Sequence, residues 1–362
     1  MMSSVTYRFI LASILQRQRH LQHKQSFGYD SLMKAAAQFR SAMYRTIRTF
    51  FDGRDYTEVD TPILSTSLIP ESTIENFATR FQNPFLPSVE LYLVPSPEIF
   101  MKQLIAQGWG SIYQISHCFR NSEQLGHIHN PEFSMLEYYT VDADDEDSIR
   151  ITEELFASLL TDDTAEYLCP PFARLTVAQA MQTYAGVDLD KHQKQSSLAD
   201  EARRLGLSVP DEPESWEETF NRIFLTFVEP NLPQDRPLVL ERYPKQIECL
   251  AKQEGAHRRR WELYVKGVEV ANCYDEDRNR TTVENYYRDE YAKLVQKREE
   301  SGSVIPDMDL DLASVFSAMP PCSGVAIGLD RLQMLLMGKT DLQGVILFPL
   351  SGMLKSGNTR NL

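Results

Sequence analysis

Apolar positions along the chain change period several times, and each change predicts an element. Between residues 31 and 53, Ala35, Phe39, Met43, Ile47 and Phe50 recur at three- and four-residue steps, which predicts an amphipathic helix closed by Gly53. Tyr56–Asp60 then reads as a strand ending at Thr61-Pro62. Glu90–Val94 reads as a second strand, followed by the turn Pro95-Ser96-Pro97-Glu98 and a helix through Met101, Leu104 and Ile105. Ile112–Phe119 alternates, a loop follows, and Pro131–Tyr139 returns as its antiparallel partner. Helical spacing fills 148–160, 176–185, 197–205 and 216–228, so that 145–235 reads as a largely helical segment. Strand patterns resume at Pro237–Leu240 and on either side of Lys266-Gly267, and 281–303 is a charged helix. The small-residue run Ser323–Gly328 reads as a buried strand whose glycines let other groups approach the backbone. A helix with Leu332, Leu335 and Leu336 at helical spacing follows it. The predicted fold class is α+β, a mixed but mostly antiparallel sheet flanked by helices.

A chain of 362 residues can bury a large core. No apolar run approaches the roughly 20 residues needed to cross a bilayer, so no membrane association is expected. Five scattered cysteines, without CxxC spacing, point to a reducing compartment, hence the cytoplasm, and away from a disulfide or zinc framework. The net charge of −14 disfavours broad binding to nucleic acid and suits a cationic partner or substrate. Residues 1–30 form a basic leader with helically spaced apolar positions, and 354–362 form a polar tail expected to fray. The run Asp142–Asp147 reads as a solvated helix start, and Arg258-Arg259-Arg260 as either a partner-binding patch or a solvated turn.

Three stretches carry candidate chemistry. Arg331 at a helix start beside Gly324 and Gly328 suits a phosphate-bearing ligand, because a guanidinium matches phosphate oxygens. Glu262, Glu269 and Glu276 recur at seven-residue steps, which on one straight strand would alternate faces; a turn at Lys266-Gly267 resets the face and gathers three acids near one pocket. Carboxylates of that kind bind Mg²⁺ in company with nucleotide phosphates, and a carboxylate against a small-residue wall can select an ammonium.

In order along the chain, these stretches resemble the signature motifs of the class II aminoacyl-tRNA synthetases. The segment IRTFFDGRDYTEVDTPILS resembles motif 1, 111–140 resembles motif 2, and Ser317–Met334 resembles motif 3. The resemblance covers roughly residues 33–350. It implies that 31–353 is one catalytic domain with a helical insertion at about 145–235, and that the 31–65 unit forms a homodimer. It further implies that Arg120 contacts the α-phosphate of ATP and Arg331 the γ-phosphate, both acting in catalysis, with Asn130 near the nucleotide and Phe133 stacked on adenine. It would place Gly324 and Gly328 on the floor of the pocket and Arg260 near ATP, with Glu262 and Glu269 serving ATP and Mg²⁺. Ser96, Pro97, Glu98, Tyr139, Glu269, Asn272, Tyr274, Glu276 and Ala326 would line the site of a lysine-like amino acid.

Departures from the motifs are specific. The family has Phe-Arg-Asn-Glu where this chain has Phe119-Arg120-Asn121-Ser122-Glu123, with a loop one residue longer before His129-Asn130. Either Ser122 or Glu123 then takes the adenine-reading place next to Asn121. Cys273 stands at a usual glycine, and Asp275 is also atypical, which puts the shape of the pocket in question. His127 and His129 read as loop or nucleotide contacts.

Within the superfamily the pattern is similar to the elongation factor P lysine ligases, lysyl-tRNA-synthetase-like enzymes without an anticodon-binding domain. About 30 residues precede motif 1, too few for such a domain, and Ala326 stands where those ligases carry Ala and lysyl-tRNA synthetases carry Gly. The resemblance implies ATP-dependent adenylation of a lysine-like amino acid, (R)-β-lysine foremost, and its transfer to a lysine of elongation factor P, with no tRNA. The alternatives are aminoacylation of RNA by a lysyl-tRNA-synthetase activity, and a non-catalytic paralogue that binds nucleotide or amino acid.

Overall fold

A computed structural model describes residues 29–358, except 123–124, 162–163, 209 and 211–213. Residues 1–28 of the basic leader, Glu123 and residues 359–362 therefore lie outside the described residues, while 354–358 of the expected polar tail are helical.

The chain opens with helix α1 (Tyr29–Asp52), whose apolar stripe is buried as its spacing predicts. Short strands β1 (Thr57–Glu58) and β2 (Leu64–Ser65) follow, then the hairpin β3 (Ala78–Asn83) and β4 (Leu86–Leu93), and helix α2 (Glu98–Ala106). Next come β5 (Ile112–Phe119), β6 (Glu132–Val141) and helix α3 (Asp145–Leu159). The following segment contains β7 (Ala173–Thr176) and helices α4 (Val177–Ala180), α5 (Gln195–Arg204) and α6 (Trp216–Ile223). Strands β8 (Leu238–Pro244), β9 (Gln253–Glu254), β10 (His257–Val265) and β11 (Val268–Asp275) lead to the long helix α7 (Arg280–Ser301). Helix α8 (Asp311–Ser317), β12 (Cys322–Gly328), α9 (Leu329–Leu336) and α10 (Leu350–Asn358) complete it.

The main sheet runs β1-β5-β6-β12-β11-β10-β8-β7, with β9 on β10. Its outer pairs β1/β5 and β7/β8 are parallel, and the remainder is antiparallel, as the α+β reading expects. One face packs on α1, α3 and α9 around Phe39, Phe51, Tyr113, Tyr138 and Trp261. A second core, built from α4 to α6 with Leu238, Leu240 and Tyr264, sits at the β8 end.

Several predicted boundaries shift for identifiable reasons. The strand expected at Tyr56–Asp60 shortens to Thr57–Glu58, since Asp55 has a positive φ of 60° and Pro62 cannot extend a ladder. The β3–β4 hairpin is absent from the sequence reading because β3 exposes nearly all its residues and shows no buried alternation. The segment at 145–235 is not wholly helical: β7 pairs in parallel with β8 and extends the sheet.

Two charge readings are corrected. The three arginines are neither a surface patch nor a turn, because β10 begins at His257 and takes them into the sheet. Arg258 is buried and donates to the Ala251 carbonyl, and Arg259 pairs with Asp144, Asp145 and Asp275 at 2.8, 2.5 and 3.3 Å. The acidic run is correspondingly not just solvated. Asp144 caps α3 through the amides of Glu146 and Asp147, and Asp145 is buried against Arg259.

Phe51 stacks on Tyr113 with ring centres 4.6 Å apart and contacts Tyr56 and Tyr138, joining α1 to the sheet. Phe51→Ala is expected to cost about 3–5 kcal/mol in denaturant unfolding, the range for a buried aromatic. A cost under about 1 kcal/mol would mean that this contact does not anchor α1.

Candidate active site

Alternation along β6, β12 and β11 divides their side chains between two faces. Leu136, Tyr138, Val325, Ile327, Ala271 and Cys273 enter the core, while Glu137, Tyr139, Gly324, Ala326, Asn272 and Tyr274 line a cavity of about 1060 Å³. Cys273 thus faces the core, with Sγ 3.5 Å from Ser323 Oγ, and Asp275 turns to Arg259, so neither departure reshapes the cavity wall.

The seven-residue spacing of the three glutamates resolves through two devices. Lys266 and Gly267, with φ of 52° and 73°, make the hairpin turn between Glu262 and Glu269. The turn alone would leave Glu269 and Glu276 on opposite faces of β11. A bulge does the rest: Leu263 pairs with Ala271 but Tyr264 pairs with Glu269, so Val270 is the extra residue and the parity flips. All three carboxylates then line the cavity.

One end of the cavity is acidic. Lys102 Nζ lies 2.5 Å from Glu98 Oε1 and 2.7 Å from Glu276 Oε2. Glu137 accepts from Ser96 Oγ at 2.5 Å and from the Tyr139 hydroxyl at 2.9 Å. Burial, reinforced by Glu98, pushes the Glu137 carboxyl up to about 8. Burial likewise raises Glu276 to about 7, against the pull of Lys102. Glu71, on the β2–β3 connection, also lines the cavity, and burial and Glu98 raise it to about 7.

The other end is cationic and mixed. Arg120 lies over the Phe133 ring at 5.2 Å, with its backbone amide bonded to the Pro131 carbonyl. Arg331 donates to the carbonyls of Glu269 and Ile128 at 2.8 and 3.2 Å, and meets His129 Nε2 at 2.8 Å. Because a guanidinium only donates, that histidine nitrogen must accept and the ring be neutral. Glu262 accepts from Arg260 and Tyr243, each at 2.5 Å, and from Tyr264 at 2.9 Å. Partial burial and the Glu262 charge push Glu269 up to about 7.

Asn121, Ser122, Asn130, Gly328 and Arg331 line the cavity as well. The Asn121 side chain accepts from the Ser122 amide, and Ser122 has a positive φ of 53°. The Asn130 amide bonds the Glu132 carbonyl and the Leu350 amide, fixing the loop to β6 and α10. Pro97 is not a lining residue; it sits at the start of α2 and turns the chain so that Ser96 and Glu98 face inward. His129 lines the cavity, whereas His127 does not.

Sequence reasoning missed Lys102, Glu137, Glu71, Tyr243 and Tyr264. Two of these had a signal: Lys102 follows Glu98 by one helical turn, and Glu137 precedes Tyr139 by one strand repeat. Glu71 had none, since it lies on an irregular connection.

Among the described residues no group of three His, Cys, Asp or Glu side chains is placed to hold a metal alone. Mg²⁺ asks for less, because it keeps waters and takes phosphate oxygens beside one or two carboxylates. The facing Glu262 and Glu269 fit that demand, with the elevation of Glu269 marking a deficit of positive charge.

Gly324 sits where nothing larger fits. A Cβ there would lie 2.5 Å from Tyr139 Cε1 and 2.9 Å from Glu276 Oε1. Gly324→Ala should displace both groups and lower stability by about 1–3 kcal/mol, as overpacking does. An unchanged melting curve would show that Tyr139 and Glu276 can move away freely.

The family described as tRNA synthetases class II (D, K and N) matches residues 14–352. The chain is 33% identical over 318 residues to an elongation factor P–(R)-β-lysine ligase of Hamiltonella defensa, covering 86% of this chain and 93% of that protein. It is 34% identical to the protein of that name from Yersinia enterocolitica, with 86% and 93% covered. It is 33% identical to a lysine–tRNA ligase of Pelotomaculum thermopropionicum, covering 88% of this chain and 64% of that protein.

Proposed function

Since the chain belongs to the class II tRNA synthetase family (D, K and N), we propose that it is an ATP-dependent ligase that adenylates a lysine-like amino acid, (R)-β-lysine, and transfers it to a lysine side chain of elongation factor P. The observation that carries this reading is a single cavity with carboxylates for ammonium groups at one end and Arg120 and Arg331 for a triphosphate at the other. Relatives named for this activity share most of their length with the chain.

Catalysis would come from positioning and charge neutralisation. Glu98, Glu137 and Glu276 hold the ammonium groups, and Tyr139, Asn272, Tyr274 and Ala326 shape the floor beneath them. A substrate carboxylate oxygen attacks the α-phosphorus and pyrophosphate leaves, with Arg120 at the α-phosphate. Arg331 would hold the γ-phosphate, exchanging some of its bonds to the 128–129 loop for phosphate oxygens. Phe133 offers a face to adenine, beside Asn121, Ser122 and Asn130. When bound, Mg²⁺ supplies positive charge to the phosphates, and Glu269 would be its open ligand because Glu262 is already bonded by Arg260, Tyr243 and Tyr264. In the second step the uncharged amine of the acceptor lysine attacks the adenylate carbonyl, and AMP leaves with the bonding electrons. The net charge of −14 suits a cationic acceptor.

A homodimer through the 31–65 unit belongs to the same proposal, supported by the exposed apolar residues Ile63 and Leu64 within that unit. No described helix is long and apolar enough to cross a membrane, which fits a cytoplasmic enzyme. Likeness to a lysine–tRNA ligase favours charging of tRNA as the second reading.

The deciding experiment is ATP–pyrophosphate exchange with (R)-β-lysine, (S)-β-lysine and α-lysine, followed by acyl transfer to elongation factor P or tRNA. Exchange strongest with (R)-β-lysine and transfer to the protein are expected. Exchange with α-lysine alone and transfer to tRNA would establish the second reading, and no exchange at all would leave a non-catalytic binding protein.

Ala326 is partly exposed on the cavity floor opposite Glu137 in the β6–β12 pairing. Removing its methyl group makes room for the α-amino group of an α-amino acid. Ala326→Gly should therefore raise use of α-lysine relative to β-lysine by roughly tenfold, the scale of one methyl in a fitted pocket. An unchanged ratio of kcat/KM values would remove Ala326 from selectivity.

A further inference from the structure

Lys102 is a buried cation for which the adenylation chemistry has no use. Only 1% of its side chain is exposed, and Nζ lies 5.3 Å from the centre of the Phe316 ring, besides its contacts with Glu98 and Glu276. We propose that Lys102 is a positioning residue and internal counter-cation, which aims Glu98 and Glu276 and offsets their charge so that a substrate ammonium joins a prepared pair of carboxylates. This rests on the reading of the substrate as a lysine-like amino acid.

The argument starts from what buried charges do alone. An isolated buried lysine gives up its proton, and two buried carboxylates side by side keep one between them. Burial does act to lower the Lys102 ammonium, but Glu276 and then Glu98 outweigh it and hold it well above its ordinary value. The three groups form a fixed triad. Lys102 takes one oxygen from each carboxylate and leaves the other. The remaining oxygen of Glu276, Oε1, lies over Gly324 at the cavity floor, where an added Cβ would sit 2.9 Å away. A substrate ammonium can use that oxygen with Lys102 still in place.

The surroundings make the counter-cation necessary. Glu137 and Tyr139 face the triad from β6, Glu71 from the β2–β3 connection, and Tyr287 from α7. Cys322 faces it from β12, and Asp275 adjoins Glu276. Arg120 acts on Glu71 and Arg278 on Cys322, but the cation in contact with Glu98 and Glu276 is Lys102. Even with it, burial pushes Glu276 up to about 7. Without it, Glu276 would lose the cation that pulls its carboxyl down, burial would raise it further, and a cationic substrate would have to displace its proton. The sign follows for stability too. A carboxyl raised above its unfolded value of 4.5 supports the fold while protonated, and that support is lost as pH rises through the folded value near 7.

The test compares wild type with Lys102→Met, Lys102→Arg and the double variant Lys102→Met/Glu98→Gln. In Lys102→Met, KM for the amino acid should rise roughly tenfold or more near neutral pH, with KM for ATP within about threefold. The defect should shrink as pH is raised towards ~9, because the carboxyls then ionise unaided. Lys102→Arg, which can span both carboxylates, should keep the wild-type pH profile. The double variant, with one negative charge fewer, should regain thermal stability but not affinity. A Lys102→Met defect equal at every pH, or shared equally by both substrates, would overturn the proposal and leave Lys102 a packing residue. A ligand-independent readout separates this proposal from the substrate assignment. The Tm of Lys102→Met should fall more steeply than that of wild type between about pH 5 and 8. If wild type shows no exchange with any lysine isomer, the substrate reading fails, while parallel Tm–pH slopes would sink the counter-cation.

Discussion

Strand β12 lies so close beneath Tyr139 and Glu276 that Gly324 has no space for a side chain. The active face depends on that approach. It lets β6, β12 and β11 pair in the register Tyr139–Gly324–Tyr274, which puts an aromatic, a bare backbone and a second aromatic side by side as a floor. Because side chains alternate along a strand, one residue of slippage would carry Glu137 and Asn272 into the core and Tyr138 and Cys273 into the cavity. The pairing therefore fixes which groups meet the ligand as well as how the sheet is built. By contrast, a Cβ at Gly328 would make only ordinary contacts, so the small-residue run is constrained chiefly at one end.

On that floor the charges fall into two groups. Glu98 and Glu276 gather around Lys102 with Glu137 near by, while Arg331 stands with Glu269 and Glu262. Much of the field is prepared in advance. Glu262 is held by a guanidinium and two phenols, and Arg331 by the Glu269 carbonyl besides the bonds to the 128–129 loop that it would exchange for phosphate. Groups already fixed need little reorganisation when charge develops on the phosphates, which is where such sites gain most of their advantage.

Much of this arrangement could be read from the sequence. The helix from 29 to 52, the β5–β6 hairpin and the β12–α9 junction announce themselves by period, and they place Arg120, Tyr139 and Arg331. Lys102 and Glu137 were also within reach, one repeat from residues already singled out. What could not be read shares a physical cause, the lack of periodicity. The bulge at Val270 is an irregularity by definition, and without it Glu269 and Glu276 part company. Glu71 sits on a connection, and β3 buries neither face. The arginine run misled for a different reason. Three charged residues in sequence look solvated, but Arg258 bonds the Ala251 carbonyl, Arg260 bonds Glu262, and Arg259 meets Asp144 and Asp145 from the start of α3 and Asp275 from the neighbouring strand β11.

The same long-range logic ties the helix α1 to the chemistry. Arg40 of α1 bonds Asp330, and it also reaches Gln333 at 2.7 Å and Ser134 Oγ at 3.1 Å. Asp330 in turn accepts from the Ser134 amide at 2.7 Å. Asp330 precedes Arg331 in α9, and Ser134 follows Phe133 in β6, so one carboxylate sets the position of both residues proposed for the nucleotide. Because Asp330 is buried, losing Arg40 would leave it unpaired, a costly state that the structure could relieve only by moving α9 or β6. Any shift of α1 is thereby felt at Arg331 and Phe133 together. Were α1 to form the proposed dimer contact, this clamp is the physical route by which assembly would bear on Arg331 and Phe133.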